Sequence, residues 1–379
     1  MHIAIDARYL NETQSGVAKY SENLINHLSQ QDQENRYTVF IHRSFNRRLK
    51  VGENFHIIES AYHPVSIRTL INFGNMVKKT ECHFLHSLSP VAPLYGAPKQ
   101  ILTLHDLQPF IVDEEEESAK GPSRGKLASL FYKLSFPHAV RATTWFISVS
   151  RATKDRFVRH FPEMEHKTIT VHSGVEKIYF EPPEGTIAQM VAKKMGLPPR
   201  FILYIGNARP QKNLPTMIRV FKKALQAHIN KLEGMEFVLA LSHDRNTARI
   251  RKLVHEEGMD KQVRFVGPVT EEEKRVLYAR ATLLFFASKG EGFGFPIVEA
   301  QAAGLPVLGS NDASMPEIAG NSAMLVPPND EHRLEESLAQ LLLDEQLRKD
   351  YAEKGRKNAE RFSWTKTADE VLQIYKLLM

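Results

Sequence analysis

The segment SKGEGFGFPIVEAQAAG (288–304) carries two carboxylates, Glu291 and Glu299, eight positions apart, with two glycines, two phenylalanines and a proline between them. TLLFFAS (282–288) reads as a strand, KGEGFGF as a loop, and PIVEAQAAG as a helix stopped by Gly304. Pro296 suits the first helical position, because a helix start leaves its N–H groups unpaired anyway. The N–H groups of Phe293, Gly294 and Phe295 then point out of the helix start and attract an anion, and the glycines let a phosphate approach closely. Glu299, one turn inside the helix, cannot ligate phosphate. It would accept hydrogen bonds from a diol such as ribose, and Glu291 would do the same for a second sugar. The segment thus reads as a site for sugar, diphosphate and ribose, the middle of a sugar nucleotide. A plainer reading stays open, with Glu291 a loop charge and Glu299 a helix surface charge.

Three other stretches offer matching chemistry. In YIGNARPQKN (204–213), a strand leads through a loop holding Asn207, Arg209 and Lys212 into a helix. Arg209 offers forked contacts to phosphate oxygens and Lys212 a point charge, so the two would clamp a diphosphate; otherwise this is an ordinary polar loop. In LTLHDLQPF (102–110), His105 and Asp106 end a strand, with a histidine satisfied by its own backbone as the alternative. In LNETQSGVAKY, Gly16 in the loop after the first strand permits close backbone approach to a ligand. There is no D-x-D, so no carboxylate-held Mg²⁺ or Mn²⁺ is expected; no G-x-x-x-x-G-K-[ST] loop; no dinucleotide glycine fingerprint; and no C-x-x-C that would complete a zinc cluster with an H-x-E. No metal and no cofactor is expected.

These residues need elements to hold them. The chain has 379 residues, 42% hydrophobic and 25% charged, which suits a soluble two-domain protein. Its single cysteine, Cys82, excludes a disulfide framework and suits a reduced, cytoplasmic setting. The start MHIAIDARYL is not a signal peptide, and no apolar run is long enough for a membrane span. The formal charge of +6 favours anionic partners such as nucleotides, phosphates or an anionic membrane surface. Strands are expected at 2–6, 37–42, 55–59, 82–86, 100–105 and 144–150, with KTITVHSGVE (167–176) closing the first half. A proline-rich break comes next at 177–200, and strands restart at 201–206, 236–242, 263–267, 282–288, 305–310 and 322–328. Short apolar runs alternating with amphipathic helices make an α/β chain of two doubly wound, Rossmann-like domains facing an interdomain cleft. Ligands of such sheets bind at the carboxyl ends of the strands, where all the segments above fall.

Basic residues recur in the first half. Arg43, Arg47, Arg48 and Lys50 form one group. Arg124, Lys126, Lys133 and Arg141 form another, interleaved with Leu127, Leu130, Phe131, Leu134 and Phe136. The second group reads either as a solvated basic helix or as a surface for anionic lipid. DEEEE (113–117) reads as a solvated loop.

Taken together, these motifs resemble retaining glycosyltransferases of family 4, which have the GT-B fold. The resemblance spans essentially the whole chain: IDARYL…SGVAKYSENLINHL, LTLHDL, ISVSRATKD, VHSGVE, YIGNARPQKNL, EGFGFPIVEAQAAGLPVLGSN and RFSWTKTADEVLQIYKLL. It implies an acceptor-side domain at 1–180, a nucleotide-sugar domain at 181–361, and a last helix, 362–379, returning to the first domain. Arg209 and Lys212 would neutralise the donor diphosphate, Glu291 would bind donor sugar hydroxyls, and Glu299 the ribose diol. Phe293 and Gly294 would offer backbone N–H groups, His105 would contact the donor sugar near the reacting carbon, and the main chain around Phe265 and Val266 would meet the nucleobase. Ser242 and His243 stand where the family often has glycine. IDARYL…GVAKY with SMPEIAG is most similar to bacterial mannosyltransferases of polysaccharide assembly. The resemblance therefore implies metal-independent transfer of a hexose, first mannose from GDP-mannose, to a glycan or lipid-linked hydroxyl, with peripheral contact to an anionic membrane and no nucleic-acid partner. The alternatives are a UDP-sugar-dependent transferase, a sugar-nucleotide epimerase, or a non-catalytic sugar-nucleotide-binding protein of the same fold.

Overall fold

A computed structural model describes residues 1–11, 15–66, 68–107, 135–242 and 245–378. Arg124, Lys126, Lys133 and their apolar neighbours Leu127, Leu130, Phe131 and Leu134, the acidic run 113–117, and His243 lie outside the described residues. The chain forms two compact units, Met1–Gly174 with Ser363–Met379, and Val175–Phe362. The chain thus leaves the first unit after residue 174, three residues before the proline-rich break at 177–200 and six before the expected domain end at 180. The proline-rich stretch around Pro182 and Pro183 lies inside the second unit, where its carbonyls are held: Arg275 donates to Ile178 O at 2.9 Å and to Glu181 O at 3.2 Å.

The first unit is built on a seven-stranded sheet in the order β3-β2-β1-β4-β5-β6-β7. Its strands are β1 His2–Asp6, β2 Arg36–His42, β3 Phe55–Ser60, β4 Phe84–Ser87, β5 Gln100–Leu104, β6 Trp145–Ser148 and β7 Thr168–Thr170. Neighbouring strands run parallel. Parallel strands buried on both faces read as continuous apolar runs, and HIAID is fully buried. Helix Gly16–Gln31 begins at Ser15, whose hydroxyl accepts from Ala18 N at 3.1 Å, and it buries Tyr20, Leu24, Ile25 and Leu28. Gly16 is therefore not a loop residue, as the sequence suggested, but the first, exposed residue of that helix. Ser150 caps Arg151–His160 in the same way, through Thr153 N at 3.1 Å.

Phe136, counted with the lipid-facing residues by sequence, is a core residue, 2% exposed and packed edge-on against Phe157. Arg141 is exposed. Helix Trp364–Lys376 belongs to the first unit, where the Tyr375 hydroxyl is hydrogen-bonded to His86 Nδ1 at 2.7 Å.

The second unit repeats the plan with six strands in the order β10-β9-β8-β11-β12-β13. They are β8 Arg200–Gly206, β9 Met235–Leu241, β10 Val263–Phe265, β11 Leu283–Phe286, β12 Val307–Ser310 and β13 Met324–Val326, again parallel. Strand order reverses between β8 and β11. Helices following these two strands leave on opposite sides of the sheet and open a crevice at the carboxyl ends, the usual ligand position in such sheets. The doubly wound α/β architecture expected from the sequence is found in both units.

Candidate active site

The crevice of the second unit is lined by the two loops that follow β8 and β11. The first runs from Gly206 through a tight 3₁₀ turn, Pro210–Lys212, to helix Leu214–Ala227. The second runs from Ala287 to Gly294 and into helix Phe295–Ala302. Both need backbone conformations that ordinary residues avoid. Gly290 and Gly294 have φ of 77° and 91°, and Asn213 sits at φ 57°. Asparagine tolerates the left-handed region because its short amide bonds nearby backbone. Here Asn213 Nδ2 donates to Ala287 O at 3.1 Å and to Pro328 O at 2.8 Å, both buried. Lys289 N donates to Gln211 O at 2.6 Å. The two loops are thus stitched together by the main chain and by one amide.

This frame brings Lys212 and Glu291 into direct contact. The Lys212 ammonium donates to Glu291 Oε1, with the side chains 15% and 12% exposed. Ser288, fully buried, places its hydroxyl 2.6 Å from the same oxygen and 3.0 Å from Gln211 O. Ser314 Oγ donates to Glu291 O at 2.9 Å and lies 3.2 Å from Phe293 O, while Ser310 Oγ donates to Ser288 O. The sequence reading left Glu291 as an open loop carboxylate with Lys212 committed to phosphate. In the structure the two side chains are paired with each other.

Arg209 is exposed, and its guanidinium makes no ion pair among the described residues; its N–H is fixed by Asn207 Oδ1 at 3.1 Å. Asn207 itself is half-buried, and its carbonyl accepts from Tyr204 at 2.8 Å.

Glu299 lies one turn inside helix Phe295–Ala302. It is 2% exposed, so it is not a helix surface charge, and its Oε2 accepts from the Tyr278 hydroxyl at 2.8 Å. Lys274 Nζ lies 3.8 Å from Oε1 and 2.8 Å from Glu271. Tyr278 and Lys274 both come from helix Glu271–Arg280, fixed at its start by a capping box between Thr270 and Glu273. Burial, with Glu299 beside it, pushes the Tyr278 phenol well above its usual pKa, so Tyr278 stays a hydrogen-bond donor.

The remaining expected residues are more dispersed. Helix Phe295–Ala302 starts one residue earlier than predicted, with Pro296 at its second position and Gly294 as its cap. Phe293 is 5% exposed and packs against Phe295 and Phe362. Phe265 ends the edge strand β10 and Val266 follows it, two strands from β8, or about 10 Å at ordinary strand spacing. The Val266 N–H donates to Leu239 O at 3.1 Å, so this amide is held by the sheet rather than offered to a base. The Phe265 ring is covered by the Arg251 guanidinium at 4.1 Å.

In the first unit, His105 follows β5. Its Nε2 lies 3.0 Å from Leu88 O, and Tyr20 meets the ring edge-on at 4.7 Å. Nε2 must carry the proton to bond a carbonyl. Burial lowers its pKa to about 4, so the imidazole is neutral at pH 7.

Asn213, Ser288, Ser310, Ser314 and Tyr278 were missed by sequence reasoning. The serines had a signal in their place, at or just after strand ends where loops must be tied. Tyr278 had none, since its pairing with Glu299 spans 21 residues.

Residues 189–358 match the family model described as glycosyl transferases group 1. The chain is 24% identical over 282 residues to O-antigen chain mannosyltransferase B of Escherichia coli, covering 74% of this chain and 71% of that one. It is 24% identical over 267 residues to O-antigen chain mannosyltransferase RfbU of Salmonella typhimurium, covering 70% of this chain and 65% of the relative. Among solved structures, sucrose-phosphate synthase from Thermosynechococcus elongatus superposes with a TM-score of 0.78 at 19% identity, over 100% of this chain and 98% of that one. The fold is that of the GT-B glycosyltransferases.

Proposed function

We propose that this chain, whose residues 189–358 match the glycosyl transferases group 1 model, transfers mannose from GDP-mannose to a hydroxyl of a glycan or lipid-linked acceptor, with retention at the anomeric carbon. The observation that carries this reading is the meeting of Lys212 and Glu291 at the crevice between β8 and β11. One cation for the diphosphate and one carboxylate for sugar hydroxyls lie side by side, where a sugar and its phosphate must also be adjacent. The mannose assignment draws on the two O-antigen mannosyltransferases to which the chain is similar.

The bond between the anomeric carbon and the diphosphate oxygen breaks, and its electron pair stays on the phosphate. The acceptor oxygen forms the new bond and gives up its proton, which the departing phosphate takes. Arg209 and Lys212 stabilise the charge that builds on the leaving group, an effect worth about 10²–10³ in rate for one preorganised donor. No divalent metal enters this scheme. His105, in the first unit, is neutral at pH 7 and would bring no charge to the reaction. Glu299, held by Tyr278, receives the ribose.

The test is a thermal-shift screen of GDP-mannose, UDP-glucose and UDP-N-acetylglucosamine, then transfer assays with lipid-linked acceptors and NMR of the product anomer. An α-mannoside from GDP-mannose is expected. A β-linked product, or transfer from UDP-sugars alone, would refute retention or the donor respectively. Conversion of the donor without acceptor would point to an epimerase.

A further inference from the structure

We propose that Lys212 and Glu291 act as one discriminating pair, which makes the site favour a nucleotide sugar over the bare nucleoside diphosphate that the reaction releases. The inference rests on the proposed function, in which Lys212 receives the diphosphate and Glu291 the sugar.

The pair is held from both sides. Asn213 and the contact from Lys289 N–H to Gln211 O fix the backbones of the two loops, so the two side chains meet whenever no ligand draws them apart. Each side chain is more than four-fifths covered, and an ion pair in such a place is poorly replaced by water. An arriving diphosphate draws Lys212 toward itself. Glu291 then loses its cation while remaining largely enclosed, and an enclosed charge without its partner is unfavourable.

The ligand decides whether that loss is made good. Ser288, 2.6 Å from Glu291 Oε1, stays behind and keeps the carboxylate in place. A hexose on the diphosphate brings hydroxyls that donate to that carboxylate and replace the ammonium. A bare nucleoside diphosphate brings none. Arg209 is exposed and outside any ion pair among the described residues, so it attracts both ligands alike. Lys212 is the cation whose release is offset only when a sugar comes with the phosphate. Product inhibition is therefore weaker than the phosphate contacts alone would give.

The experiment is calorimetric binding of GDP and GDP-mannose to the full chain, with UDP and UDP-glucose run in parallel, for wild type, Glu291→Gln, Lys212→Met and the double variant. Glu291→Gln is expected to tighten GDP by about tenfold, the scale of one hydrogen bond to a charged group, without tightening GDP-mannose. In the Lys212→Met background the same change should alter GDP binding by less than about twofold, since the coupling partner is gone. Glu291→Asp, which keeps the charge but shortens its reach, should tighten GDP to an intermediate degree and serves if Glu291→Gln fails to fold. GDP bound equally by wild type and both Glu291 variants would overturn the proposal. So would a tightening that persists undiminished without Lys212, because local charge alone would then explain it. A wild type that binds none of the four nucleotides would overturn the functional reading as well, and that failure is recognisable because it does not depend on the variants.

Discussion

The Tyr278 hydroxyl donates to Glu299 Oε2 at 2.8 Å, joining two helices of the second unit across 21 residues of sequence. Removing the donor leaves a buried carboxylate short of a partner, which costs about 1–3 kcal/mol. Tyr278→Phe is therefore expected to lower the melting temperature. If Glu299 holds the ribose, the same change raises KM for the donor roughly tenfold, on the scale of one charged hydrogen bond, and alters kcat much less. A fall in kcat at unchanged KM would place Tyr278 outside nucleotide binding.

Asn213 combines a left-handed backbone with two buried hydrogen bonds. Asn213→Gly keeps the backbone and loses both bonds, while Asn213→Ala loses the bonds and adds strain. Urea unfolding should show losses of about 2 kcal/mol for glycine and about 1 kcal/mol more for alanine. Equal midpoints for the two variants would mean that the backbone conformation contributes nothing.

Much of this architecture can be read from the chain before any coordinates, and the reason is physical. Parallel strands buried on both faces must be short apolar runs, so HIAID, FILYIG and TLLFFAS announce themselves. Caps are local, so Ser150 could be named as one. Glu291, Lys212 and Arg209 lie just past strand ends, where the fold concentrates ligands. Their pairing is another matter. Lys212 and Glu291 are 79 residues apart, and only the adjacency of β8 and β11 brings them together. The burial of Glu299 by Tyr278 is likewise a property of packing, and a helix of low amphipathicity such as Glu271–Arg280 gives no hint of which residue it will aim inward. Gly16 misled because a glycine after a strand usually signals a loop, whereas here Ser15 caps a helix immediately before it.

His86 and His105 both resist protonation in the folded chain. Burial lowers His86 to about 3, helped by the neighbouring His105, and lowers His105 to about 4. Unfolded histidine takes up its proton near 6.5. The stabilisation from keeping both rings neutral is thus complete above pH 6.5. It declines as acid protonates the unfolded chain, down to about 4 for His105 and about 3 for His86. Melting temperature should fall between pH 6.5 and 4, and His86→Asn should make that fall shallower while lowering stability at pH 7. A slope unchanged in His86→Asn would assign the acid sensitivity to other groups. Transfer itself should show no activity step near pH 6.5 arising from His105.

Transfer should continue in EDTA at its full rate, because Arg209 and Lys212 supply the positive charge that a divalent ion would otherwise bring to the diphosphate. Rates measured with and without Mg²⁺ or Mn²⁺ check this. Loss of activity in chelator, restored by Mn²⁺, would put a metal in the mechanism.

Helix Trp364–Lys376 completes the first unit from the far end of the chain. Gly174 lies so close to it that a Cβ there would collide with the Trp364 backbone, and Lys99 Nζ reaches Leu378 O at 2.6 Å. During synthesis the two units are therefore completed in the reverse of the order in which they are begun. Val175–Phe362 is contiguous and has all its residues while the chain is still being made. The unit that begins first must wait, with the strand-side surface around His86 and Phe84 uncovered, until Tyr375 emerges to close it.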